Sequence, residues 1–182
     1  MKKQWIWLIL LLTSCMTEMP QAARESIVQS VNANQYLGTW YEIARLDHSF
    51  ERGLEQVTAN YGLEKDGSIK VLNKGYNTEK REWKEAIGKA KFVDAANVDG
   101  SRTGRLKVSF FGPFYGPYNI IALEKYKDKP SYSYALISGG QEYLWILSRT
   151  PQMDEFVKQE LVEKAKKLGY ATDKLLFVKQ TK

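Results

Sequence analysis

From Gly38 onward apolar and polar residues alternate with a period of two, the pattern of strands buried on one face. Leu106-Lys107-Val108-Ser109-Phe110 is the cleanest run. Val57-Thr58-Ala59-Asn60-Tyr61 and Ile69-Lys70-Val71 repeat it, and further runs lie at 40–44, 82–92, 118–123, 132–137 and 143–147. Turn signals separate them: Lys65-Asp66-Gly67, Asp99-Gly100-Ser101, Gly112-Pro113, Asp128-Lys129-Pro130 and Gly139-Gly140. Eight short strands joined by short turns predict an all-β fold, an eight-stranded antiparallel up-and-down meander that hides its edges by closing into a barrel. A barrel of that size either fills with side chains or holds one small ligand.

After Leu147 the period lengthens. Phe156, Val157, Leu161, Ala165 and Leu168 share one helical face, opposite Lys158, Glu160, Glu163, Lys164 and Lys167. Thr150-Pro151 suits the helix start and Gly169 its end, predicting a helix packed on the barrel's outer wall. Its basic face is either solvated or turned to anionic lipid. Leu175–Val178 reads as a ninth strand.

The beginning of the chain follows another logic. Met1-Lys2-Lys3-Gln4 and the apolar run Trp5 to Leu12 form the charged and hydrophobic parts of a secretory signal, too short to span a bilayer as a helix. Leu12-Thr13-Ser14-Cys15 resembles the bacterial lipobox. The resemblance implies removal of residues 1–14 and acylation of Cys15; the polar, mixed residues 15–34 read as a lipidated tether with one short helical stretch between Ala22 and Val31, and 35–182 as the barrel domain. It also implies outer-membrane sorting, since Met16 replaces the aspartate of inner-membrane retention, with the domain facing the periplasm. The other cleavage point, after Ala23, has Gln21 where a small residue belongs.

Composition narrows the chemistry. The formal charge of +6 falls to +4 without Lys2 and Lys3, a mild excess that predicts no nucleic-acid partner. One cysteine and one histidine exclude a disulfide framework and most metal sites. His48 has no sequence neighbour placed to make it a catalytic base and reads as a turn residue. No nucleophile elbow or phosphate loop occurs. No enzyme activity and no cofactor are expected.

Tyr36-Leu37-Gly38-Thr39-Trp40-Tyr41-Glu42-Ile43-Ala44 resembles the Gly-x-Trp-Tyr opening of the lipocalin family, and Trp145-Ile146-Leu147-Ser148-Arg149-Thr150-Pro151 its arginine motif. The stretches 47–56 and 108–116 are similar to the family's bacterial, outer-membrane lipoprotein branch. The middle Thr-Asp-Tyr motif is only partly kept, as Tyr132-Ser133-Tyr134. Trp40 begins the first strand and Arg149 follows the eighth, so both fall at one end of an up-and-down barrel. There a cation–π stack of about 1–2 kcal/mol would plug it.

Alternation then sets the inward face. Ala59, Tyr61, Val71, Val108, Phe110, Tyr118, Ile120, Tyr143 and Trp145 are the candidate ligand-binding residues, with Trp40 giving Ala44, and Tyr118 giving Ala122, the same inward parity. Leu144 and Ile146 are expected under the helix. These side chains either pack a solid core or wall an apolar pocket suited to an acyl chain. Burying sixteen methylenes releases on the order of 12 kcal/mol. The expected ligand is a fatty acid or lysophospholipid, stored or carried for membrane maintenance. The alternative is an envelope lipoprotein whose barrel is a ligand-free platform for another protein. The loop 47–56 reads as a lid, and Arg52, Lys74, Lys80 and Arg81 are placed to meet a headgroup among Glu51, Glu55 and Glu142. Phe114 and Tyr115 leave a homodimer open.

Overall fold

The computed structural model describes residues 18–126 and 129–181. The expected signal segment, Cys15 and Asp128 lie outside the described residues. In chain order the elements are α1 (Gln21–Glu25), α2 (Ala33–Tyr36), β1 (Gly38–Leu46), β2 (Leu54–Leu63), β3 (Ile69–Asn77), β4 (Glu82–Phe92), β5 (Arg105–Phe111), β6 (Phe114–Glu124), β7 (Tyr134–Gly140), β8 (Tyr143–Ser148), α3 (Glu155–Lys167) and β9 (Leu175–Phe177). β1 to β8 pair antiparallel in sequence order, and β1 pairs with both β8 and β2, which closes the barrel. The turns after β1, β3, β5 and β7 define one end, the mouth. Those after β2, β4 and β6 define the other, the floor.

β1 meets β2 only over Gly38–Tyr41. Nearer the mouth, β9 takes the place of β2 against Ala44–Leu46. Gln180 Nε2 then donates to the carbonyls of Glu42 (2.8 Å) and Val57 (2.9 Å), bridging the two strands. The ninth strand is thus a wedge that fills a seam. Across the barrel no such wedge exists among the described residues: β4 pairs with β5 only over Lys89–Phe92, so 82–88 carry a free edge to the mouth.

Two apolar clusters share the sheet. One fills the lower interior around Trp40, Tyr61, Ile69 and Ile137. The other lies outside, where Leu136, Leu144 and Ile146 meet Leu161 and Ala165 of α3, so β7 is buried on both faces, as a strand covered by a helix must be. Leu144 and Ile146 lie under the helix as expected. β-bulges correct the simple parity elsewhere. One between Glu42 and Ala44 turns Ala44 outward, and one between Ile120 and Ala122 does the same to Ala122. An extra residue in a strand shifts every later side chain to the other face.

Three further expectations change. Asp154, not Thr150, caps α3: its Oδ1 accepts from Phe156 N at 2.9 Å, while Thr150 Oγ1 is engaged with the Gln152 carbonyl at 2.6 Å. Phe156, placed on the buried face by periodicity, is 67% exposed. The expected tether is packed chain from Met19 on. Ala23, Ile27 and Val31 are buried, Val28 N donates to the Ile120 carbonyl (3.0 Å), and Val31 bridges to Arg102. Apolar residues at 23, 27 and 31, spaced four apart among polar ones, make the stripe that packs there.

Candidate functional site

The floor is assembled by α2 and the strand ends. Gly38 enters β1 at φ +92, a left-handed conformation that suits glycine, and a Cβ there would lie 3.4 Å from Arg149 Nη1. This brings Arg149 over Trp40, with its guanidinium carbon 3.9 Å from the ring centroid. The guanidinium donates to the carbonyls of Thr39 (2.8 Å), Gln35 (2.8 Å), Leu37 (2.8 Å), Tyr36 (3.1 Å) and Tyr132 (3.3 Å). Trp40 Nε1 donates to the Tyr36 carbonyl at 2.8 Å. One side chain therefore satisfies carbonyls from three segments.

Above this plug three tyrosine hydroxyls meet. Tyr118 Oη lies 2.5 Å from Tyr36 Oη and 2.8 Å from Tyr61 Oη. Burial pushes all three phenols up, Tyr61 to about 12, because a phenolate has no water there. They form a neutral polar base under an apolar cavity of about 90 Å³. Its wall includes Ala59, Tyr61, Val71, Val108, Phe110, Tyr118 and Trp145, seven of the nine candidate ligand residues. Ile120 does not line it, being packed into the solid lower interior. Tyr143 does not line it either and sits at the mouth, its ring 5.4 Å from that of His48. Sequence reasoning missed Tyr36, Glu42, Glu51, Thr58, Asn73, Ala90 and Ile137 as wall residues. Glu42 was within reach of it, lying two residues from Trp40 on the same strand face. Glu51 is placed at the mouth with its loop, but a loop has no alternation to show that the side chain turns into the cavity.

The mouth is charged. Arg45 Nη1 lies 2.6 Å from Glu42 Oε1, both buried, and Arg45 Nη2 donates to the Glu51 carbonyl at 2.7 Å and that of Leu54 at 3.2 Å. Glu51 Oε2 lies 3.0 Å from His48 Nε2 and accepts from Trp145 Nε1 at 3.0 Å. These contacts hold the loop 47–53 down across the barrel. Burial, with the charge of Glu51 adding to it, pushes Glu42 well up against the pull of Arg45. Burial also acts to raise Glu51, but the contacts from His48 and Trp145 and the charges of His48 and Arg45 outweigh it and leave Glu51 below its ordinary range. Of the cations expected to meet a headgroup, Arg52 is paired with Asp47 and Lys74 with Glu85. No cluster of metal-ligating side chains occurs among the described residues.

The family model of the lipocalin-like domain matches residues 31–180, most of the chain. The chain is a lipocalin. It is 51% identical over 179 residues to the outer membrane lipoprotein Blc of Vibrio cholerae, covering 96% of this chain and 98% of that protein. It is 49% identical over 156 residues to the Blc of Escherichia coli K12, covering 85% and 82%. Lobster apocrustacyanin A1 shares the fold at a TM-score of 0.62 and 18% identity, covering 83% of this chain and 81% of that one. The lipocalin barrel accordingly sets its Gly38–Trp40 and Arg149 motifs at the floor and leaves the mouth to the loops.

Proposed function

We propose that this lipocalin is an outer-membrane lipoprotein that loads a single-chain lipid, a fatty acid or lysophospholipid, into the barrel and stores or transfers it for membrane maintenance. In this reading residues 1–14 are removed, Cys15 carries the acyl anchor and the barrel faces the periplasm. The names of the Vibrio and Escherichia relatives support the location. The observation that carries the binding role is the apolar cavity, closed below by Trp40 and Arg149 and covered above by a hydrogen-bonded loop.

Its size defines what binding requires. About 90 Å³ is less than the roughly 150 Å³ that holds one benzene, so a long acyl chain enters only as the cavity widens. Two parts are placed to give way. The loop 47–53 rests on the Glu51 contacts, and the Phe110 ring lies beside Gly88, where a Cβ would be 2.8 Å from it, next to the free edge of β4. The same small volume favours the second reading, a ligand-free platform for a protein partner.

Native mass spectrometry of the chain lacking residues 1–15, together with titration of tryptophan fluorescence by palmitate and lysophospholipid, separates the two. Co-purified lipid and saturable binding at micromolar or better affinity are expected. An empty domain that no single-chain lipid perturbs, isolated with a stoichiometric protein partner, establishes the platform instead.

A further inference from the structure

The first described residues lie toward the mouth. Pro20 packs against Gly169, where a Cβ would sit 3.3 Å from its ring, and the Gly169 carbonyl accepts from Gln141 Nε2 at 3.0 Å in the β7–β8 turn. Glu18 and Met19 line a groove that runs along the wall from Tyr115, Gly139 and Gly140 on the mouth side to Asp94 and Thr103 at the β4–β5 turn, so it is the Pro20–Gly169 contact that sets them toward the mouth. From there the chain descends the outer wall through Val28 and Val31 to α2 at the floor. Cys15 is three residues before Glu18, and three residues of extended chain reach at most about 11 Å. β6, the strand of 11 residues that this segment meets at Ile120, runs roughly 35 Å from mouth to floor, beyond that reach.

The mouth also carries exposed aromatic side chains. Phe50 on the β1–β2 turn is 73% exposed, and Phe111 and Phe114, flanking the β5–β6 turn, are 78% and 80% exposed. The exposed apolar residues of the β4–β5 turn at the floor, Val93 and Val98, are aliphatic. Exposed phenylalanine rings are apolar side chains of the kind that surface-bound segments bury at the boundary between headgroups and acyl chains. With Arg52 and Lys74 paired to Asp47 and Glu85, the charges around the mouth largely offset one another, so contact there rests on apolar insertion.

We infer that the mouth of the barrel docks on the phospholipid surface that holds the anchor, with Phe50, Phe111 and Phe114 seated in its headgroup layer. The inference rests on the acylated Cys15 of the reading above. It deepens that reading: lipid passes between bilayer and cavity directly, beside the free edge of β4, without crossing water.

The test uses the full acylated chain in phosphatidylethanolamine–phosphatidylglycerol vesicles, spin-labelled at Phe114→Cys or, separately, at the floor-end Val98→Cys. Cys15 is the only natural cysteine and its thiol is blocked by the acyl group, so each label is unique. The label at 114 is expected to collide several-fold more with oxygen than with a water-soluble nickel chelate, the label at 98 the reverse, and raised salt to change neither. Water-like exposure at 114, lipid-like exposure at 98, or spin–spin broadening at 114 from a second copy each overturns docking. An unmodified Cys15 in the mass spectrum overturns docking together with the anchor. An empty cavity, seen in the separate lipid titration, strikes the carrier reading and leaves the label result standing.

Discussion

The two ends of this barrel are held by opposite means. At the floor, Arg149 and Trp40 satisfy backbone carbonyls with one guanidinium and one indole, and the three tyrosines above them are neutral. At the mouth, Glu42, Arg45, His48 and Glu51 bring ionisable side chains into a space just as dry, and the loop they hold is one turn of chain. Removing a member of the first set takes away packing that several segments share. Removing a member of the second frees a loop. Buried ion pairs contribute little net stability because desolvation offsets their attraction, so the mouth gains position from its charges more than strength. A rigid base and a releasable cover are what a container needs.

The comparison is broken most directly at the floor. Trp40→Ala leaves a cavity under the tyrosines and strips Arg149 of its ring, and we expect a loss of about 3–5 kcal/mol in urea unfolding. An equally large loss from Glu51→Gln would mean that the mouth, too, is part of the stable frame. Gly88→Ala comes next. The added Cβ falls 2.8 Å from both the Phe110 ring and the Ser109 carbonyl, so the ring or the strand must move, at about 1–3 kcal/mol. Because the displaced ring turns into the cavity, lipid affinity is expected to fall more than stability does.

Much of this difference was written in the sequence, but unevenly. The floor was legible: Gly38, Trp40 and Arg149 lie at strand ends whose positions follow from counting strands, and their contact needs only that the barrel close. The wall was legible wherever alternation runs unbroken, as through Val108 and Phe110 or Ala59 and Tyr61. It failed at bulges. Alternation points Ala44 and Ala122 inward because a one-residue insertion in a strand leaves no mark in an apolar run, while its effect on parity is complete. The mouth was least legible. Glu51 reaches the cavity by the path of its loop, and its partners Arg45 and Trp145 are brought to it by the closed sheet, so no local pattern announces the cluster.

At the mouth itself the expected effect is smaller and depends on pH. Glu51→Gln keeps the shape but weakens the contacts of His48 and Trp145, a change of about 1–2 kcal/mol. Glu51 has its folded pKa lowered, so the stability it contributes is full above the ordinary 4.5 and is lost as pH falls through its folded value. Glu42, raised, works the other way: its contribution is full below 4.5 and declines as pH rises through its folded value. Stopped-flow lipid binding at pH 7 should be faster in Glu51→Gln. In the natural protein, acid should speed it only below about pH 4.5. A variant that binds no faster would show that the loop does not limit entry.

Titration of the floor's tyrosines gives the smallest effect, which below the ordinary tyrosine pKa of 10.0 is none. With Tyr61 raised to about 12 and Tyr36 and Tyr118 raised beside it, the stability they contribute is full below 10.0 and is lost as pH rises through about 12. Absorbance at the phenolate band should therefore show these three un-ionised at pH 11, where exposed tyrosines have lost their protons. They should ionise together as the barrel unfolds. Tyr118→Phe removes the central hydroxyl and both contacts with it, so Tyr36 and Tyr61 keep their burial but lose their common partner. Their titration should remain coupled to unfolding, now at lower pH because the floor is weaker. Ionisation of these tyrosines near pH 10 in a barrel still folded would mean that water reaches the floor, and the contrast between a sealed base and a yielding mouth would not hold.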